Sequence, residues 1–199
     1  MKNPLLVLML LFYGTVCLGQ KIQSGIYDGG LQLAFDSSTN KLTGFYENYT
    51  GWDEATNQPL FSCIFYIEGY LVENIFKIQT YFPANMQDSI QGTIELLDKT
   101  TLKLSLKSDH GGCWNVQNFL NENAIFTLEH EKNWIQIKFS VAEKTYFYRG
   151  PSSIGKQDFY FKKNEMLFVE KTTQDWSFCT YFGETILQGW IKNTDLNKL

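Results

Sequence analysis

Proline, histidine and arginine are the scarce residues of this 199-residue chain, with 4 Pro, 2 His and a single Arg, Arg149. So few prolines leave no room for a low-complexity linker. With only His110 and His130, no Ser-His-Asp order and no zinc-type spacing can be assembled. No glycine-rich phosphate loop or dinucleotide fingerprint occurs either. An enzyme is therefore not the expectation, and no cofactor or metal is called for. Basic side chains are short as well: 17 Lys and Arg face 21 Asp and Glu, for a net charge of −4 and a pI near 5.2. A nucleic-acid binder carries a basic face and a high pI, so that partner class is set aside. After residue 20 no stretch approaches the roughly 20 apolar residues of a membrane helix, so no membrane span is expected.

What the chain has in plenty is apolar and aromatic matter, 44% and 16% of residues, enough for a packed core and too much for disorder. The first residues read as an export leader. Lys2 supplies the positive charge, Leu5 to Phe12 a short apolar run, and Cys17 and Gly19 the small residues that favour cleavage after Gly19. A lipidated Cys17 would need Leu at position 14 and a small residue at 16, where Gly14 and Val16 stand. The protein is thus expected to be periplasmic or secreted. Three cysteines follow the leader: Cys63, Cys113 and Cys179. In an oxidising compartment Cys63 and Cys113, within one expected domain, are paired, closing a loop worth about 4 kcal/mol in the chain-entropy model. Cys179, inside an aromatic strand pattern, reads as a small buried apolar residue.

Hydrophobic period two runs through almost the whole chain, as in Leu31 to Phe35, Leu102 to Lys107 and Ile135 to Phe139. Further strands are expected over Leu42–Glu47, Leu60–Glu68, Asn74–Phe82, Ser89–Leu97, Ala124–His130, Lys144–Tyr148, Met166–Lys171, Trp176–Tyr181 and Leu187–Lys192. Turn signals separate them, and only Asn115–Asn123 hints at a short helical turn. The fold class is all-β. Residues 20–131 are expected to form a small antiparallel meander barrel of the calycin-like kind, and residues 132–199 a second β-unit.

The second unit carries the specific pattern. Lys144 to Tyr148 is an aromatic strand leading to Pro151, Asn164-Glu165 a turn before the apolar Met166 to Val169, Trp176 opens the next strand, and Gly189-Trp190-Ile191 with Leu196 closes the chain. This pattern resembles the bacterial SH3-like (SH3b-type) domain over about a third of the chain. It departs at Asn164-Glu165, where the family has Gly-Asp, and Asn tolerates positive φ. The resemblance implies an SH3-like β-barrel with an aromatic groove for peptide, peptidoglycan or protein. Tyr148, Arg149, Trp176 and Trp190 are its candidate ligand-binding residues. Trp176 and Tyr148 are expected to be exposed, Trp190 partly in the core, and Arg149 is placed to clamp a carboxylate.

Two constellations stand out in the first unit. In Asp109-His110-Gly111-Gly112-Cys113 the glycines make a turn that presents Cys113 to its disulfide, while the competing reading is a thiol nucleophile with His110 as base. Tyr46 and Trp52, with Tyr49 and the acids Glu47, Asp53 and Glu54, form a candidate ligand contact of the sugar-holding type. Paired-carboxylate hydrolysis is the bolder version of that site. The sequence therefore points to an exported, non-catalytic binding protein of the cell envelope, contacting protein, peptide or cell-wall glycan. The alternative is a periplasmic inhibitor or immunity protein that caps a toxin or cell-wall hydrolase, its acidity suiting a basic target.

Overall fold

Alternation of apolar and polar residues commits most of the chain to strands. The computed structural model describes residues 22–122 and 124–198, and the expected leader and its cleavage point lie outside them. Eight strands come first: β1 (Gly25–Tyr27), β2 (Leu31–Asp36), β3 (Lys41–Asp53), β4 (Gln58–Val72), β5 (Ile75–Phe82), β6 (Asn85–Leu96), β7 (Thr101–Leu106) and β8 (Ala124–Glu131). Each pairs antiparallel with its chain neighbour, and β1 pairs back onto β8, so the meander closes into a barrel. Closure leaves no free edge among these strands.

The barrel interior is filled by side chains. Leu33, Tyr46, Phe65, Ile94 and Leu104 are fully buried in it. Tyr46 stacks on Phe65 with centroids 5.0 Å apart, and Phe119 meets both edge-on at 5.0 and 5.3 Å. Phe119 lies between β7 and β8, in the segment expected to be helical. Among the described residues of this connection a single 3-10 turn forms, Cys113–Asn115, which reaches the expected segment only at Asn115. The rest folds over the barrel end and inserts Phe119 as a plug, a burial whose truncation would cost about 3–5 kcal/mol. Cys63 on β4 is disulfide-bonded to Cys113 across a sequence separation of 50, as expected. Gly112 makes this possible with φ 89°, a conformation costly for any residue with a Cβ.

Six strands form the second sheet: β9 (Gln136–Phe139), β10 (Thr145–Tyr148), β11 (Lys156–Phe161), β12 (Met166–Thr172), β13 (Trp176–Phe182) and β14 (Ile186–Lys192). Their order is β11-β10-β14-β13-β12-β9. One face buries Phe147, Phe161, Leu167, Val169, Cys179 and Ile191 around a common cluster. Cys179 is fully buried and free, as read from its place in the strand. Asn164 takes φ 71° in the turn before β12. A 3-10 turn at Asn193–Asp195 then brings Leu196 into a bridge with Ser140.

A third apolar cluster joins the two sheets. Ala34, Phe45, Tyr66 and Tyr81 on the outer barrel wall pack against Trp134, Ile137, Phe139 and Phe168 of the second unit. That is why all six residues from Lys41 to Tyr46 are buried, the strand being covered on both faces. Strand β9 pairs with β12 on one side only; on its other edge Asn197 bonds the Phe139 N–H and carbonyl, and barrel side chains bond those of Ile137. The Ile137 N–H donates to Thr43 Oγ1 at 2.7 Å, and the Tyr66 hydroxyl donates to Ile137 O at 2.6 Å.

Candidate functional site

Strand alternation sorts the aromatics of the second sheet onto two faces. Inward go Phe147, Cys179 and Ile191, while Gly189 leaves room for Phe147, whose ring a Cβ would approach to 3.0 Å. Outward, in register, Tyr148 pairs with Trp190, Trp190 with Phe178, and Lys192 with Trp176. The outer face is thus a lattice of rings. Tyr148 and Trp176 meet edge-on at 5.0 Å, Phe178 and Trp190 at 5.6 Å, and Tyr146 and Tyr160 lie 5.8 Å apart.

Lysines lie over these rings. Lys156 Nζ sits 3.4 Å from the Tyr146 centroid, Lys144 4.9 Å from Tyr160, and Lys171 4.9 Å from Phe178 and 5.3 Å from Trp190. Lys192 reaches Tyr148 and Trp176 at 5.7 and 5.9 Å. Each such contact is worth about 0.5–1 kcal/mol at an exposed site, enough to restrict the ammonium without neutralising it. Among the described residues none of these four lysines forms a salt bridge. The face therefore presents fixed positive charges above an aromatic floor.

At one end of the face a groove of about 580 Å³ opens beside Trp176, lined also by Lys138, Lys192, Lys198, Asp175 and Asn197. Burial lowers the pKa of the Lys138 ammonium. The Cys179 thiol opposes that shift and Lys41 adds to it. Asn197 is 3% exposed, its Oδ1 accepts the Phe139 N–H at 2.9 Å, and its Nδ2 is left without a hydrogen bond. Its amide lies near the Tyr66 hydroxyl, whose pKa is held well above the usual value chiefly by burial.

The expected site residues are only partly brought together. Trp176, Trp190 and Tyr148 share the outer face, with Trp176 and Trp190 half-buried. Tyr148 is corrected: it is 7% exposed, because Trp176 and Lys192 lie against it. Arg149 is exposed past the end of β10 and makes no salt bridge among the described residues. Tyr46 is corrected outright, since it is 0% exposed inside the barrel and a ligand cannot touch it. Trp52, by contrast, is 60% exposed. The lysines over the rings were not anticipated, although Lys171 and Lys192 are readable as partners of Phe178 and Trp176 once the strand register is known.

The bolder chemistries find their groups otherwise engaged. Cys113 is in its disulfide, and His110 stacks on Phe65 while its Nε2 hydrogen-bonds Thr80 Oγ1 at 2.8 Å. Asp53 closes the β3–β4 turn, accepting from Ala55 N and Thr56 N, bonds that lower its carboxyl pKa. Glu47, expected to end a strand, lies in the middle of β3 and accepts the Tyr49 hydroxyl, an interaction that raises the Tyr49 pKa to about 12. Among the described residues no group of three or more His, Cys, Asp and Glu is placed to hold a metal, and no helix is long and apolar enough to cross a membrane. Comparison with protein families, curated proteins and solved structures finds no match to this chain.

Proposed function

We propose that this is an exported, non-catalytic binding protein of the cell envelope, its second, SH3-like unit contacting peptide, peptidoglycan or protein through the lysine-bearing aromatic face. The observation that carries the reading is the set of four lysines poised over rings with no salt bridge to a carboxylate among the described residues. Cations held in place but unneutralised suit a ligand bearing carboxylates, as the stem peptides of a cell wall do. The SH3-like assignment is supported by Gly189 yielding to Phe147, by the positive φ of Asn164, and by the 3-10 turn that returns Leu196 to Ser140. Export is supported by the disulfide, which persists in oxidising compartments.

The test is co-sedimentation of the full chain, without its leader, with insoluble peptidoglycan. Lys192→Gln and Trp176→Ala should each weaken retention about fivefold to tenfold, the loss of one charged or aromatic contact. Retention indifferent to both changes, or none at all, overturns the reading. The alternative, an inhibitor or immunity protein, draws on the barrel instead. Residues 22–131 carry 14 acidic and 5 basic side chains, a balance suited to holding a basic hydrolase.

A further inference from the structure

The meander sends the β1–β2, β3–β4, β5–β6 and β7–β8 connections to one end of the barrel. That end combines two properties. First, its connections hold a single cation, Lys107 at the start of the β7–β8 segment, against Glu54, Asp109 and Glu122 within them and Glu47, Asp53 and Asp88 beside them. Second, large apolar side chains stand in solvent there: Trp52 at 60% exposure, Leu60 at 64%, Phe61 at 40%, Phe82 at 48%, Met86 at 50% and Trp114 at 55%. Scattered single apolar residues need no explanation, but a concentration of them at one end marks a contact surface.

The end is also braced. Strands β3 and β4 pair from Lys41–Tyr70 out to Asp53–Gln58, carrying a two-stranded ribbon well past the packed interior. The register Tyr46–Phe65, Asn48–Cys63, Thr50–Phe61 keeps Phe61 on the side continuous with the barrel interior. The Cys63–Cys113 bond ties that ribbon to the turn carrying Trp114, and Thr50 Oγ1 donates to Asn115 O at 3.0 Å. Trp114 is thereby held beside the ribbon before any partner arrives, which lowers the ordering cost of association.

We infer that this end of the barrel is a docking surface for a basic folded protein, with Trp52 and Trp114 as its apolar anchors and the carboxylates as its charge ring. The inference deepens the inhibitor alternative and rests on it for the kind of partner; it is independent of the sheet-face reading. Charge selects the occupant. A second copy presenting the same acidic end is repelled, whereas a basic surface is drawn in and released more readily as salt rises. Aromatic anchors at the centre of such a contact carry most of its strength.

The test uses the full chain, without its leader, against two immobilised probes: lysozyme, basic with an open cleft, and cytochrome c, basic without one. Lysozyme should be retained, more weakly as ionic strength rises, and cytochrome c much less. Trp52→Ala and Trp114→Ala should each lower lysozyme affinity at least about tenfold. Glu54→Lys should lower it too, and reduction of the disulfide should weaken it. Lys171→Gln and Lys192→Gln should leave it unchanged. Far-UV circular dichroism checks that each variant is folded. Loss of binding in the two lysine variants, or indifference to both Trp variants, overturns the surface while a basic partner stands. Retention of neither probe overturns the basic-partner reading itself. Self-association by light scattering that Glu54→Lys abolishes would make a second copy the occupant and overturn the inference.

Discussion

The contact between barrel and second sheet should behave as part of one core. Its sharpest probe is the peptide at Ile137. Thr43→Val and Tyr66→Phe keep shape and apolar volume, yet each strips one partner from a buried backbone group: the Ile137 N–H in the first case, its carbonyl in the second. Both Thr43 and Tyr66 are 0% exposed, so water cannot replace what is removed. An unsatisfied buried donor or acceptor costs about 1–3 kcal/mol. The double variant should lose about 2–5 kcal/mol, less than strict additivity because the two backbone groups belong to the same residue and lie close together. That is a large fraction of the roughly 5–15 kcal/mol stability of an ordinary domain. Urea unfolding followed by tryptophan fluorescence is informative here. Trp52 and Trp114 report on the barrel, and Trp134, Trp176 and Trp190 on the second unit. The unaltered protein should give one transition by fluorescence and by circular dichroism, and the variants one transition at lower urea. Two separated transitions in the unaltered protein would refute the shared core. So would single-variant losses below about 0.5 kcal/mol, since such a loss falls short of an orphaned buried group.

Reducing the Cys63–Cys113 bond, or replacing both residues by Ala, should cost about 4 kcal/mol by freeing a 50-residue loop in the unfolded chain, read as a lower denaturation midpoint. A cost under about 1 kcal/mol would place the constraint elsewhere. Burial holds the His110 pKa below its ordinary value, against the opposing pull of Asp109 and Asp88. The unfolded chain therefore takes up this proton first. Its contribution is full above about pH 6.5 and is lost as pH falls through the lower folded value. His110→Gln should flatten that acid limb of a stability–pH profile, and an unchanged limb would assign it to other groups. The Cys179 thiol, buried and with its pKa raised by that burial, should react with Ellman's reagent only as fast as the protein opens. Rapid stoichiometric labelling under native conditions would contradict its burial. Asn164→Ala, at φ 71°, should cost about 1–2 kcal/mol in thermal unfolding, and Asn164→Gly much less.

Much of the architecture was legible because period two is a direct imprint of a strand with unlike faces. The run expected at Met166–Lys171 is Met166–Thr172 in the fold, and that at Leu102–Lys107 is Thr101–Leu106. The disulfide was legible from compartment and domain alone. Three features were not, each for a physical reason. Strand β3 was expected to stop at Glu47 but continues to Asp53, because Asn48 to Asp53 pair with β4 beyond the packed interior, where no core imposes alternation. Tyr46 looked available because alternation tells two faces apart without saying which one is enclosed, and its ring faces the barrel interior, packed against Phe65 and Phe119. Phe119 gave no periodic signal, since a single residue plugging a barrel needs none.

Charge was the least legible property of all, because a whole-chain sum averages over units of opposite sign. Residues 22–131 hold 14 acidic and 5 basic side chains, whereas residues 132–199 hold 10 basic and 7 acidic. A net of −4 therefore describes neither surface. The lysine-bearing aromatic face and the carboxylate-ringed barrel end call for ligands of opposite sign, so occupancy of one need not compete with the other. Raising salt weakens both and distinguishes nothing. Changing one charge at a time does distinguish them, because Glu54→Lys and Lys192→Gln act on surfaces built from different strands of different sheets. The useful unit for reading partner class from charge is thus the sheet face or barrel end, not the polypeptide.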